Sequence, residues 1–486
     1  MAYTTINDPS AHFQTKTYTG NGSTQSITND GNSNLRPDWI WTKDRDDTSV
    51  HYVADSVRGT NKLLQPADYG AESTSSNYFT AFNSDGFSLG TNNANNQNSA
   101  ANVAWQWVAG GTAPTQTYRV VVVSDGGNKY RWRNSGNTAT FAQSAVTLDL
   151  QEGGTYTIDG SDSTMDSHPI KLSTTSNGTH GGGSSYNTGV VYKLDGATVT
   201  ESAYVSGYAS ATTRQLVITV ADSAPTLYYY CHYHSGMGGQ INTNDLFGST
   251  NFDGSILSVV SANTTAGFSI VTYSGTGSLA TVGHGLGATP HMMIFKRRDG
   301  NPDWTVYHHK NTSEPATEFL ILNGQDATTD NANNFNDTAP TSTVFTINDA
   351  GKVNNGSGTY IVYCFTSIKG YSMLGNYTGN GLGNGPYIYT GFKPAWLMVK
   401  KTNGTGNWIM FDNKRDLFNL SVKYLFANST AAEASDSSNG VDFLSNGFQL
   451  RSAIYGDINS SGDSYIYMTF AEQPFVATNN VVATAR

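Results

Sequence analysis

One order of short motifs occurs three times along this chain, and that recurrence limits the fold more than any single residue does. The first passage runs Tyr18-Thr-Gly-Asn-Gly22, Arg36-Pro-Asp-Trp-Ile-Trp-Thr-Lys43, Phe82-Asn-Ser-Asp-Gly-Phe-Ser-Leu89 and Val103-Ala-Trp-Gln-Trp107. The second reads Tyr273-Ser-Gly-Thr-Gly277, Thr289-Pro-His-Met-Met-Ile-Phe-Lys296, Phe345-Thr-Ile-Asn-Asp-Ala-Gly351 and Tyr360-Ile-Val-Tyr-Cys-Phe365. The third reads Tyr377-Thr-Gly-Asn-Gly381, Lys393-Pro-Ala-Trp-Leu-Met-Val-Lys400, Phe443-Leu-Ser-Asn-Gly-Phe-Gln-Leu450 and Tyr465-Ile-Tyr-Met-Thr-Phe470. A unit of about 100 residues is too long for a solenoid repeat and suits a whole β-sandwich per copy.

Within each copy a Pro enters an apolar run that ends in Lys, the pattern of a buried strand. Ser84-Asp-Gly86 and Ser445-Asn-Gly447 each sit between Phe-bearing strands and predict hairpin turns, with Gly supplying positive φ. Short links of this kind predict antiparallel sheet. The expected fold is all-β, with several antiparallel sandwiches of jelly-roll or lectin-like topology. The copies are placed at residues 1–113, 249–370 and 371–486, and a different domain occupies 116–248. Gly110–Gln116 and Asn242–Gly248 are the predicted linkers. Copies two and three meet without a loose linker and are expected to pack as a rigid pair.

Composition agrees with many short strands joined by polar turns. Charged residues make up 13% and aromatic residues 12% of the chain, and Gly, Ser, Thr and Asn are abundant. A formal charge of -10 without a basic run argues against a nucleic-acid partner. No apolar run approaches the ~20 residues needed to span a bilayer, which predicts no membrane partner. The N-terminus lacks the pattern of a secretory signal. Cys231 and Cys364 form no disulfide framework and no cysteine-rich zinc cluster, so the redox compartment stays open.

Between the first and second copies, Tyr228-Tyr-Tyr-Cys-His-Tyr-His-Ser-Gly-Met-Gly-Gly239 gathers rare side chains. Cys231, His234 and Met237 follow Cys-x-x-His-x-x-Met spacing, and His168 lies upstream in Asp166-Ser-His-Pro-Ile-Lys-Leu172. Thiolate, imidazole and thioether donors that converge in one tight loop suit a single soft ion such as copper. A second reading stands beside this one: Cys231 as a small buried hydrophobe and Met237 as a gap-filler. His180 and His232 are nearby imidazoles expected to be exposed rather than coordinating.

From about Gln116 to Ile241 the segment resembles the cupredoxins. That resemblance implies a Greek-key sandwich with His168, Cys231, His234 and Met237 as ligands, copper as cofactor and one-electron transfer as chemistry. The three repeats, with Tyr-Thr-Gly-Asn-Gly, Arg/Lys-Pro-x-Trp and Ser-Asp/Asn-Gly-Phe, and the ending Ala483-Thr-Ala-Arg486, resemble an uncharacterised repeat in virion proteins of marine tailed bacteriophages. This second resemblance implies a virion structural protein on the tail or capsid surface: a tail fibre or adhesin active in assembly and host attachment, or a capsid decoration protein. Its implied partners are other virion proteins and a host-surface glycan or protein. A fibre also implies a homo-oligomer, with a trimer as the simplest form. The resemblance supplies no receptor-binding residues.

Asp55 and Arg58 match Asp412 and Arg415 in the third copy, whereas the second copy has His308 and Asn311 there. Such loose matching favours an ion pair over a shared ligand site. Asp44, Asp46 and Asp47 suit either a calcium cradle or a polar hairpin tip. No nucleophile elbow, zinc-protease helix or phosphate loop is present, so no catalytic residue is assigned and no enzyme is expected. A glycan hydrolase needs only two suitably spaced carboxylates, and it stays as a third, subordinate reading.

Overall fold

In a computed structural model the described residues are 4–110, 114–244, 247–452, 456–477 and 482–483. Strands dominate and helices are short, so the all-β expectation holds. Among the described residues no helix is long and apolar enough to cross a membrane. The chain divides into two compact units, one of Met1–Gly111, Ala262–Ala280 and Gly285–Arg486, the other of Thr112–Ser261 and Thr281–His284. All three repeats contribute to the first unit.

Each repeat builds the same run of six strands. In the first the spatial order is Phe13–Thr19, Ala101–Trp107, Trp39–Asp44, Tyr52–Asp55, Gly59–Leu64, Ser73–Thr74. In the second it is Phe268–Ser274, Thr359–Phe365, Met292–Arg297, Thr305–His308, Glu318–Ile321, Thr329–Asp330. The third repeats it with Ser372–Thr378, Ser464–Pro474, Phe392–Lys401, Trp408–Asp412, Lys423–Phe426, Ala434–Ser435. The Pro-led apolar runs are central strands, buried on both faces, which is why they read as continuous hydrophobic stretches rather than alternating ones. The first and third repeats close over a small second sheet, Gln25–Ile27 with Phe79–Phe82 and Phe87–Leu89, and Tyr387–Tyr389 with Asn439–Leu444 and Gly447–Ser452. Both predicted hairpins form. Gly86 has φ +91°, and at both glycines the strands approach too closely for a side chain: a Cβ would lie 2.0 Å from the Ile27 carbonyl at Gly86 and 2.1 Å from the Ile388 carbonyl at Gly447.

The repeats close into a ring in which each touches both others. Glu72 N donates to Arg298 O, Thr328 N to Thr402 O and Glu433 N to Arg45 O, three equivalent bonds that link repeat one to two, two to three and three to one. Side chains follow the same rule. Tyr363 Oη donates to Asp55 at 2.8 Å and Trp105 Nε1 to Asp412 at 3.1 Å. Arg298 pairs with Glu72, and Arg45 with Glu433. Copies two and three pack on each other, and each packs on copy one in the same way. Aromatic rings from all three repeats fill the centre: Trp39 stacks on Tyr363 with centroids 4.4 Å apart, Phe13 on Phe470 at 5.1 Å, and Trp107 meets Trp396 edge-on at 5.7 Å. All eight tryptophans are fully buried, so none offers a platform for a sugar. Asp55 and Arg58, like Asp412 and Arg415, are buried ion pairs at 2.6 Å. Asp44 and Asp46 accept from Asp46 N and Ala101 N, which fits the polar hairpin tip.

The second unit is a sandwich of a six-stranded and a four-stranded sheet. The larger runs Asn128–Arg133, Thr115–Ser124, Thr155–Asp159, Arg214–Thr219, Val190–Leu194, Ala197–Val199, and the smaller Leu148–Gln151, Gln240–Asn244, Leu227–Cys231, Ile170–Ser173. Two pairings are parallel, Thr115–Ser124 with Thr155–Asp159 and Leu148–Gln151 with Gln240–Asn244. Between the sheets lie Trp132, Tyr156, Tyr204, Tyr229 and Leu216 among others. The strand Gln240–Asn244 occupies the start of the predicted 242–248 linker, which is therefore partly sheet, while residues 245–246 lie outside the described residues, as do 111–113 of the other linker.

Candidate metal centre

The smaller sheet of the second unit sets the geometry. Leu227–Cys231 pairs antiparallel with Ile170–Ser173 in a register that places Cys231 opposite Ile170, two residues beyond His168. Leu227, Tyr229 and Cys231 alternate into the sandwich core, so the thiol ends the strand fully buried. His168 is held where it stands by two backbone bonds: its N–H donates to Met165 O at 2.8 Å, and its carbonyl accepts from Tyr130 Oη at 2.9 Å.

The loop after Cys231 is pinned along its length. His232 N donates to Pro169 O, and Tyr130 N and Tyr229 N donate to Met237 O and Gly239 O. Asn177 reaches across, donating to Ser235 Oγ at 3.0 Å and accepting from Gly236 N at 2.8 Å. Lys129 Nζ donates to Gly236 O. At Gly238 a Cβ would lie 1.7 Å from the Tyr229 carbonyl, so the turn admits no side chain.

This scaffold brings three of the four sequence-derived residues to one point. Cys231 Sγ lies 3.8 Å from His168 Nδ1 and 3.5 Å from His234 Nδ1. The two imidazole rings are 4.6 Å apart, and one donor atom from each residue falls within 4.8 Å of the others. Among the described residues this is the one group of three or more His, Cys, Asp or Glu side chains so placed. His168 and Cys231 are buried and His234 is exposed. Met237, on the same loop as His234, is buried in the core cluster that also holds Cys231. Burial, with His234 beside it, lowers the pKa of His168 and keeps its imidazole in the neutral form that a metal requires.

One sulfur and two imidazole nitrogens converge at distances that one soft cation would bridge, with a thioether on the same loop. Of the two neighbouring imidazoles, His180 is exposed as expected and its Nε2 meets the Cys231 carbonyl at 3.1 Å, whereas His232, expected to be exposed, is half-buried. The hydrogen bond from His180 to the backbone of Cys231 was not legible in the sequence, because His180 sits on a separate short 3-10 turn, Gly178–Gly181.

No curated protein and no solved structure matches the chain. A profile described as a domain of unknown function, DUF7483, matches residues 8–129 and 243–474. The match takes in the three repeats and skips 130–242, which carries all four candidate ligands. By the extent of that match the chain belongs to the DUF7483 family.

Proposed function

We propose that this chain is a structural protein of a tailed-bacteriophage virion, on the tail or capsid surface, and that its inserted domain is a mononuclear copper module. The virion reading rests on the resemblance of the repeats. It is supported by their closure into a three-part ring, an arrangement suited to assembly and to presenting loops at a particle surface. Its role is structural and adhesive rather than catalytic, with neighbouring virion proteins and the host surface as partners. Particles purified on a density gradient test this: the chain is expected in fixed stoichiometry by mass spectrometry, with antibody decorating the tail or capsid. Absence from purified particles contradicts it.

The convergence of Cys231, His168 and His234 carries the copper reading. In it, His168 and His234 offer Nδ1, Cys231 its sulfur, and Met237 is the thioether on the same loop. Copper bound there supplies one-electron chemistry. The protein's own part is to hold the donors ready: the strand pair fixes Cys231 against His168, and the Asn177 and Lys129 bonds fix the loop that carries His234. Reconstitution with Cu(II) is expected to give a thiolate-to-copper absorption band that Cys231→Ser abolishes, and a colourless protein that binds no copper removes this reading.

A further inference from the structure

In the third repeat a lysine, an asparagine and a glutamate from three neighbouring strands meet at one point. Lys393 stands at the start of Phe392–Lys401, the middle strand of the three; Asn413 follows the end of Trp408–Asp412, and Glu472 lies near the end of Ser464–Pro474. On one side, Asn413 N donates to Ala395 O at 2.9 Å, which carries the pairing of Trp396 with Asp412 one residue further and brings Asn413 towards Lys393. On the other, Lys393 pairs with Gln473 and Pro394 with Ala471, so Glu472 is the extra residue of a bulge. Bulges of this kind re-aim a side chain.

One carboxylate serves both neighbours. Glu472 Oε1 lies 3.5 Å from Lys393 Nζ, and its Oε2 accepts from Asn413 Nδ2 at 2.6 Å. Lys393 and Asn413 are only 7% and 3% exposed, so little water reaches either. The trio belongs to repeat three alone. At the equivalent positions repeat two has Thr289, His309 and Ser367, and repeat one has Arg36, Ser56 and Ala109. Both of those repeats build the same run of strands, so the fold itself does not call for an amine, a carboxamide and a carboxylate here.

We propose that Lys393 and Asn413 are joined by an isopeptide bond, with Glu472 as the catalytic residue that forms it. Glu472 takes a proton from the Lys393 ammonium, and the freed amine attacks Asn413 Cγ. The Nζ–Cγ bond forms and the Cγ–Nδ2 bond breaks. Glu472 carries two protons in turn from Nζ to Nδ2, so the lysine ammonium and the carboxamide become a secondary amide and a released ammonium ion. The strands hold the two groups together, which supplies the proximity the reaction needs. No oxidant or cofactor takes part. Both cysteines are free, so this amide gives the third repeat a covalent tie that no reductant opens.

Mass spectrometry of the full chain tests this. The intact mass is expected to lie one ammonia below that of the sequence, and a protease digest to carry Lys393 and Asn413 in one linked pair of peptides. Glu472→Gln, which keeps the shape and removes the proton carrier, is expected to leave both residues unlinked and to restore the full mass. Lys393→Arg, which keeps the charge beside Glu472, is expected to restore it too, and it decides the site of the bond if Glu472→Gln fails to fold. Unlinked Lys393 and Asn413 in the wild-type digest overturn the proposal. So do a link that survives in folded Glu472→Gln and an amide between Lys393 and Glu472 formed with loss of water.

Discussion

The indole of Trp105, in the last strand of the first repeat, donates to the carboxylate of Asp412 in the third, 3.1 Å away and 307 residues along the chain. Asp412 also holds Arg415 at 2.6 Å, and both side chains are fully buried. Asp412→Ala leaves an uncompensated guanidinium in the interior and is expected to cost about 3–5 kcal/mol. Trp105→Phe removes only one donor and part of a ring, and is expected to cost less. Urea unfolding of the two variants checks the order. Equal losses would show that the ion pair, not the repeat-to-repeat bond, is passive.

His51 is buried with Trp41 Nε1 donating to its Nδ1 at 2.8 Å, and burial lowers its pKa to about 3. The unfolded chain takes up this proton near 6.5, so the stability conferred by the neutral ring is complete above about pH 6.5 and is lost as pH falls towards 3. His308, at the position where the other repeats have Asp55 and Asp412, is pushed the same way by burial. His51 contributes a slope of up to about 1.4 kcal/mol per pH unit within that window. His51→Gln is expected to flatten the acid limb of a stability-versus-pH curve, and an unchanged limb would contradict this.

Glu201 opens the helix Glu201–Gly207. Partial burial opposes its charge, but hydrogen bonds from Lys171, Ser185 and Asn187 prevail and hold the carboxyl at about 2. Its stabilisation is present above the ordinary carboxylate range and is lost as pH falls from about 4.5 towards 2. Glu201→Gln is expected to lower the melting temperature at pH 7 and to lower it much less at pH 2.5. A loss of the same size at both values would assign Glu201 a packing role only.

Gly238 lies against the backbone, with no room for a Cβ beside the Tyr229 carbonyl. Gly238→Ala is expected to displace the loop that carries His234 and weaken copper binding at least about tenfold while the sandwich stays folded. Titration followed by circular dichroism and metal analysis separates the two effects. Unaltered affinity would show that the loop position does not set the site.

Much of this was legible in the sequence, because the repeats and the ligand spacing are local patterns. The Pro-led runs ending in Lys43, Lys296 and Lys400 marked the central strands correctly. Their ends are more unusual than the pattern suggested. All three ammonium groups are bonded to backbone carbonyls: Lys43 to Asp44 and Asp47 of its own hairpin, Lys296 to Pro302 and to Tyr69 of the preceding repeat, and Lys400 to Lys401 and to Gln325 of the preceding repeat. Bonds of that kind join segments far apart in the chain, so the ring they close could not be read from motif order. Likewise the spacing after Cys231 pointed to His234, but only the register of Leu227–Cys231 on Ile170–Ser173 shows that His168 arrives at the same place.

The measurement that tests the copper module most directly is elemental analysis and a visible spectrum of protein from its native source, never passed over an immobilised-metal column. One copper per chain with an intense thiolate-to-copper band, both lost in Cys231→Ser, is the expected result. Metal-free protein that stays colourless after Cu(II) addition and after anaerobic Cu(I) loading would contradict it and leave His168, Cys231 and His234 as structural neighbours.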